Sequence, residues 1–321
     1  MNEPPGGFKP RARASLRGTR GVRLESMRPA LFVLGAVLAA APSARAVDPD
    51  YARDIDGWRA KREEGLRAPD GWLAVVGLHW LREGTSTIGS AKGSDIVLPL
   101  SVPPRVGTID FANGKAVIHV ASGVTVTSKD KPVSEHELHS DKAGKPDVLA
   151  VGPVSMYVIE RGGRHALRVK DTESAQRRGF HGLEWYPVRE DLRIRARFTP
   201  YDPPKNIPIA NVVGMVDPLP SPGYVTFQLE GRELRLDPVL EEPDAKELFY
   251  IFRDATAGKD TYPAGRFLYS EMPKDGQVVL DFNKAYSPPC AFTSFATCPL
   301  PPRQNRLDVR IEAGEKKPAG H

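Results

Sequence analysis

Short apolar segments, separated by proline and glycine, follow one another from residue 87 to residue 311 with almost no helical periodicity. Segments of this kind indicate antiparallel β-strands, because proline and glycine end strands and form the turns between them. A first set lies at residues 87–90, 94–99, 108–120 (a hairpin turning at Asn113-Gly114), 124–127, 148–151, 154–160 and 166–169. A second set lies at residues 192–198, 207–213, 224–229, 233–236, 248–253, 266–269, 278–283 and 307–311. The sequence therefore predicts an all-β fold of two antiparallel β-sandwich or β-barrel domains.

A short N-terminal helix is expected to precede these domains. Asp48-Pro49 combines an N-cap residue with a proline at the first helical position, and Tyr51, Ile55 and Trp58 follow on one stripe of a helix. The predicted domain division is a leader and signal peptide at residues 1–46, the helix at 47–66, a β-sandwich at 67–171 and a second β-barrel or sandwich at 172–318.

The segment from Met27 has the features of a Sec-type signal peptide. Arg28 gives a positive n-region, residues 30–41 form an apolar h-region, and Ala44-Arg45-Ala46 is a small-x-small cleavage site. An uncleaved N-terminal anchor is the alternative, although the apolar run is short for a membrane span. Residues 1–26 indicate an over-extended start or a disordered leader. We therefore expect a periplasmic or secreted protein that has no stable membrane anchor after cleavage.

The charge distribution argues against a nucleic-acid partner. The formal net charge is +5, but the excess of basic residues precedes residue 47, so the remainder of the chain is close to neutral. Such a chain has no broad basic surface for a polyanion. The chain contains neither a Gly-rich phosphate loop nor a Gly-x-Ser-x-Gly motif, and we expect no cofactor. The expected partner is a small polar ligand or a component of the cell envelope.

Both cysteines, Cys290 and Cys298, lie in a proline-rich loop near the C-terminus. Proline stiffens this loop because it fixes its own φ and restricts the preceding residue. In an oxidising compartment the two cysteines are candidates for a structural disulfide. A redox-active pair, a cysteine nucleophile and a zinc site remain as alternatives. We expect no metal, because two cysteines with scattered histidines are a weak zinc pattern.

Polar residues gather at the ends of predicted strands in the C-terminal half. On the strand 278–283, alternation places Asp281 and Asn283 on one face, next to the cysteine loop. We call the edge formed by these strand ends the rim. The candidates for a polar site on the rim are Arg253, Asp254, Thr256, Thr261, Tyr262, Arg266, Asp281, Asn283, Asn305 and Arg306. The alternative is that these residues form a buried network of ion pairs and hydrogen bonds that braces long loops.

The segments TIGS at residues 87–90 and SDIVL at residues 94–98 resemble the opening of a forkhead-associated domain. Ser90 stands where that family has a phosphate-binding arginine, and residues 101–105 lack the family's Ser-x-x-His pattern. The resemblance therefore implies a sandwich of that general kind without phosphothreonine recognition.

The C-terminal half resembles the family called domain of unknown function 1684. The resemblance rests on FHGLEWYP at residues 180–187, LFYIFRDATAG at 248–258, TYPAGRFL at 261–268 and the stretch from residue 281 to residue 315. The resemblance implies an all-β fold, but it does not indicate an activity.

Two classes of function are compatible with these features. The first is a binding or scaffold protein of the cell envelope, because no catalytic motif is recognised. The second is a hydrolase that acts on a small polar or envelope-derived substrate through Arg253, Asp254, Arg266, Asp281 and Asn283, with Cys290 nearby. The density of polar residues at strand ends supports it, because loops on a rigid β frame commonly carry sites.

Overall fold

A computed structural model describes residues 47–318, and helix α1 (Pro49–Arg67) begins this part of the chain. The predicted leader and signal peptide lie outside the described residues. The Asp48 side chain caps α1 by accepting a hydrogen bond from the Asp50 backbone at 2.8 Å, as the sequence predicts. Within residues 47–318, no helix is both long enough and apolar enough to cross a bilayer.

The first β part contains two sheets. Strands β1 to β11 are Val75–Trp80, Gly84–Gly89, Ile96–Val97, Gly107–Ala112, Lys115–Val120, Val126–Ser128, Lys131–Val133, Glu135–Leu138, Leu149–Val151, Val154–Arg161 and Arg164–Asp171. One sheet has the order β1-β11-β10-β9-β6-β7, and the other has the order β3-β2-β4-β5-β8. Ile88, Ile109 and Ile118 from one sheet pack with Met156 and Leu167 from the other in a single core.

The hairpin between β4 and β5 confirms the turn predicted at Asn113-Gly114. Both residues have positive φ, 53° and 78°, which a type I′ turn requires and which asparagine and glycine tolerate.

The second β part also contains two sheets. Strands β12 to β17 are Arg193–Ala210, Val216–Leu229, Arg232–Leu236, Glu247–Phe252, Arg266–Glu271 and Gln277–Asp281. They form a four-stranded sheet with the order β14-β13-β12-β17 and a separate antiparallel pair, β15-β16. Short helices connect the strands throughout: α2 at Ala175–Arg178, and 3₁₀ turns at Trp72–Ala74, Asp141–Ala143, Glu190–Leu192, Phe282–Lys284, Pro289–Ala291 and Arg303–Asn305.

The all-β prediction is confirmed, with three corrections in the second part. The strands predicted at 192–198 and 207–213 are one long strand, β12, whose pairing with β13 is interrupted between Pro200 and Lys205. Residues 307–311 form no strand: Leu307 and Val309 bond the backbone of residues 253 and 255, and the backbone of Ile311 bonds the side chains of Asp254 and Arg266. None of the sheets within residues 47–318 closes into a barrel.

Helix α1 packs on the second β part, although the two are far apart in the sequence. The Tyr51 hydroxyl donates to the Asp281 carboxylate at 2.8 Å, and Arg59 donates to the carbonyl of Tyr186 at 2.8 Å. Arg62 bonds the Ser287 carbonyl at 2.9 Å and the Glu315 carboxylate at 3.2 Å.

Candidate functional site

Four of the predicted rim residues form one buried network. The Asp254 side chain lies 3.4 Å from the Arg266 guanidinium and accepts hydrogen bonds from the Thr256 hydroxyl at 2.8 and 2.9 Å. The Thr256 and Thr261 hydroxyls lie 2.8 Å apart. Arg266 is only 1% exposed and Asp254 4%, so solvent barely reaches the ion pair.

The same network holds the backbone of residues 311–313. Arg266 donates to the carbonyl of Ile311 at 2.9 Å and to that of Ala313, while the backbone N–H of Ile311 donates to Asp254 at 2.8 Å. Burial lowers the pKa of Arg266, and the Asp254 carboxylate opposes that shift. The contacts are those of a brace, the arrangement given above as the alternative to a rim site.

Asp281 and Asn283 form a second, separate cluster with helix α1. Strand β17 ends at Asp281, and the Asn283 backbone N–H donates back to the Asp281 carboxylate at 3.2 Å. The Asn283 amide bonds the Arg189 backbone on both sides, at 2.7 and 2.9 Å. Burial, together with the Asp281 charge, raises the pKa of Tyr51, so its hydroxyl stays a hydrogen-bond donor.

The other rim candidates are placed apart from one another. Buried Asn305 bonds the Asp237 backbone N–H and carbonyl, at 2.8 and 2.9 Å, and the Ile251 carbonyl at 3.0 Å. Arg253 is exposed and donates to the Pro263 carbonyl at 3.0 Å, and Arg306 is also exposed. The Tyr262 hydroxyl donates to the Cys290 carbonyl at 3.0 Å.

The two cysteines are neighbours with free thiols. The Cys290 backbone N–H donates to the Cys298 sulfur at 3.1 Å. A hydrogen bond with the Cys298 thiol lowers the pKa of Cys290, and the same contact, with burial, raises the pKa of Cys298. Within residues 47–318, no hydrogen bond or ion pair joins either cysteine to a histidine, and no His/Cys/Asp/Glu group has the arrangement of a metal site.

Beside Cys298 lies a pocket of about 410 Å³ that the rim prediction did not include. Its lining includes Trp72, Phe249, Phe267, Tyr269, Tyr286 and Arg168, and we call it the Arg168 pocket. Arg168 lies on β11 between Leu167 and Val169, which both point into the sandwich core. Alternation therefore directs Arg168 to the opposite face of the sheet, towards Trp72, whose ring lies 5.1 Å from the guanidinium carbon.

Arg168 is buried without a counter-ion. It is 4% exposed, its Nε has no hydrogen-bond partner, and its guanidinium makes no ion pair with a carboxylate within residues 47–318. The other arginines of the pocket are paired: Arg161 with Asp141 at 2.8 Å and Arg62 with Glu315 at 3.2 Å. The pocket's one carboxylate among the described residues, exposed Glu241, accepts from the Tyr269 hydroxyl at 2.6 Å.

Sequence reasoning missed Arg168 because a charged residue in an alternating strand normally faces water. The available signal was a single arginine, Arg168, between the apolar residues Leu167 and Val169 of a predicted strand. That signal becomes informative only when the opposite face of the sheet is known to be covered.

The chain is similar to known proteins over parts of its length. Residues 178–316 match the family described as Protein of unknown function (DUF1684). The solution NMR structure of an uncharacterized protein of Haloarcula marismortui is 30% identical, with 45% of this chain and 81% of that chain covered and a TM-score of 0.39. No curated protein matches the chain.

Two forkhead-associated domains are also similar over a smaller part of the chain. One, from work on phosphothreonine-dependent FHA domain interactions, is 21% identical and covers 29% of this chain and 92% of its own, with a TM-score of 0.21. The other is the FhaA FHA domain complexed with an intracellular domain, with 21% identity, coverage of 29% and 97%, and the same TM-score of 0.21. The match to the DUF1684 family covers residues 178–316 of the chain.

Proposed function

We propose that this chain is an exported binding protein of the cell envelope, and that the Arg168 pocket takes a small ligand that carries a carboxylate or phosphate group. The observation that carries the proposal is the buried Arg168 guanidinium, which lines a cavity and has no carboxylate partner among the described residues.

The physical argument begins with the cost of that charge. A buried charge without a partner is strongly unfavourable, and buried polar groups without partners are uncommon in native proteins. A ligand oxyanion would remove this cost, because the planar guanidinium binds a carboxylate or phosphate through two parallel hydrogen bonds. The rings of Trp72, Phe249 and Tyr286 provide an apolar wall for the rest of the ligand.

The hydrolase hypothesis is the second candidate, and the geometry supports it less well. Asp254 and Arg266 are buried, and both bond the backbone of residues 311–313. A cysteine nucleophile requires a base within hydrogen-bond reach, and neither thiol contacts a histidine within residues 47–318. A binding role needs only the pocket and its unpaired arginine.

The test is isothermal titration calorimetry of the full chain with phenylphosphate and benzoate, with phenol as the uncharged control. Arg168→Met is expected to weaken binding by roughly 10–150-fold, since a hydrogen bond to a charged group contributes about 1.5–3 kcal/mol. Arg161→Met is the matched control: Arg161 lines the same pocket, but Asp141 already pairs it. Binding is expected to change little in this variant.

The thermal stability of Arg168→Met separates a binding role from a structural one. Replacing an unpaired buried charge by an apolar side chain should leave the melting temperature unchanged or raise it. A protein that binds neither phenylphosphate nor benzoate, or an Arg168→Met protein that binds them as the wild type does, would overturn the proposal.

Export is the second part of the proposal and has its own test. It rests on the n-region, h-region and cleavage pattern of residues 27–46. N-terminal sequencing of the protein from the periplasm or medium should begin at Val47. A chain that begins at Met1 in the membrane fraction would contradict the signal peptide.

We also propose that Cys290 and Cys298 pair in the exported protein. The contact of 3.1 Å between the Cys290 N–H and the Cys298 sulfur supports this, since a disulfide needs neighbouring backbones. Pairing removes one hydrogen from each thiol and transfers two electrons to a thiol–disulfide oxidant of the compartment. Denaturing thiol titration of the periplasmic protein should find no free thiol, and Cys298→Ser should lower the melting temperature. Two free thiols in that titration would refute the pairing.

A further inference from the structure

A second cleft, of about 930 Å³, lies between α1 and the outer face of the sheet that contains β12 and β17. Its lining includes six basic and three acidic residues, and we call it the basic cleft. It shares Arg62, Tyr269 and Tyr286 with the Arg168 pocket, but it extends over different strands.

Strand alternation produces the basic face. Arg193 and Arg195 are exposed on β12, whereas Ile194 and Ala196 between and beyond them pack on the hydrophobic core. The cross-strand partners on β17 are Asp281 and Val279. Residues two apart on a strand repeat at roughly 6.5 Å on the same face, so Arg193 and Arg195 both project from this side of β12.

Most of the positive charge in the basic cleft is unpaired. Lys61, Arg193, Arg195 and Lys284 form no ion pair with a carboxylate within residues 47–318. Lys274 is paired with Glu271 at 2.8 Å. The cleft therefore has cations available for a ligand, spread over helix α1, strand β12 and the turn after β17.

Carboxylates and aromatic rings are interspersed with these cations. Glu247 and Asp281 line the same cleft, and Trp58, Tyr269 and Tyr286 contribute aromatic side chains to its lining. Carboxylates accept hydrogen bonds from hydroxyl groups, but they repel a polyanion whose charges are closely spaced. A chain of sugar rings with separated acidic groups can contact all three kinds of lining residue: its acidic groups the cations, its hydroxyls the carboxylates, and its rings the aromatic side chains.

We propose that the basic cleft binds an acidic oligosaccharide, in which carboxylate or phosphate groups lie between neutral sugar units. The anionic groups pair with Lys61, Arg193 and Arg195, the sugar hydroxyls bond Glu247, and the sugar rings pack against the aromatic side chains. This proposal does not depend on a ligand in the Arg168 pocket.

The test is calorimetric titration of the full chain with trigalacturonate, with maltotriose as the uncharged control and a single-stranded DNA 12-mer as the dense polyanion. The double variant Lys61→Gln/Arg195→Gln should bind trigalacturonate about tenfold more weakly, which corresponds to about 1.4 kcal/mol. Binding should also weaken as salt is raised, because exposed charges are screened.

A matched double variant keeps the net charge equal. Arg197→Gln/Lys92→Gln removes the same charge, and neither residue lines the basic cleft, although Arg197 follows Arg195 on β12. This variant should bind trigalacturonate as the wild type does. Arg168→Met should also leave this binding unchanged, which separates the two sites.

The outcomes that would overturn the proposal are specific. Equal weakening by the two double variants would show a diffuse charge effect and no site. Equal affinity of the protein for maltotriose and trigalacturonate would show that the cations of the basic cleft do not contribute to binding. Tighter binding of the DNA than of trigalacturonate would assign the basic cleft to a dense polyanion and refute the oligosaccharide.

Discussion

The strongest prediction about stability concerns Arg266, because its buried guanidinium joins strand β16 to the chain at Ile311 and Ala313. Arg266→Met keeps much of the side-chain length but removes the charge and all of these hydrogen bonds. Removing one partner of a buried ion pair destabilises a protein by about 3–5 kcal/mol. Asp254 retains the Thr256 hydroxyl and the Ile311 N–H, which favours the lower end of that range.

The magnitude is large enough to measure in two ways. A loss of about 3 kcal/mol should lower the melting temperature by roughly 6–12 °C for a chain of this size, where each kcal/mol corresponds to about 2–4 °C. Urea unfolding should show a lower midpoint with an unchanged slope. Arg306→Met is the control, because Arg306 is an exposed arginine in the same half of the chain.

A result of the opposite kind would refute the reasoning. If Arg266→Met lost less than about 1 kcal/mol, the size of an ordinary hydrogen bond, the network would not brace residues 311–313. Such a variant that also lost ligand binding would restore the rim as the functional site.

Three further predictions follow from other contacts. The pKa of Asp147 is held at about 2, because hydrogen bonds from His139 and Lys129 outweigh the effect of burial, so its stabilisation is complete above the ordinary value of 3.8 and disappears as the pH falls towards 2. Urea unfolding at a series of pH values should show a shallower acid decline for Asp147→Asn; an unchanged decline would contradict the assignment. Asn305→Ala should lower the free energy of unfolding, measured in urea, by about 2–4 kcal/mol, since three backbone groups lose their buried partner. A loss no larger than that of a substitution at an exposed residue would contradict these hydrogen bonds. The first sandwich should not bind phosphothreonine peptides, because the Ser90 hydroxyl is buried and donates to the Val102 carbonyl at 2.8 Å; micromolar binding that phosphatase abolishes would disprove this.

The strand pattern could be predicted because its signals are local. The Asn113-Gly114 turn needs only two residues that accept positive φ, and the Tyr51–Ile55 stripe needs only helical spacing. The family resemblance likewise rests on continuous stretches of sequence.

The burial of charged residues could not be predicted in the same way. Arg266 is buried because carbonyls 45 and 47 residues further along the chain accept its hydrogen bonds, and no local pattern reports those partners. The predicted strand 307–311 was wrong for a related reason, since side chains of Asp254 and Arg266 bond the backbone of Ile311. The site of Arg168 depends on which face of the first sandwich the rest of the chain covers.

The placement of helix α1 has a consequence for how the chain folds. Its hydrogen bonds through Tyr51 and Arg62 join residues 230 and 253 positions apart in sequence. The helix is synthesised before both β parts, yet its partners on the second β part come from the end of the chain. Contacts between such distant residues are slow to form, because the chain entropy of a long loop must be lost before the contact forms. Helix α1 therefore completes its docking only after residue 315 has been made, and until then its apolar stripe is available to chaperones.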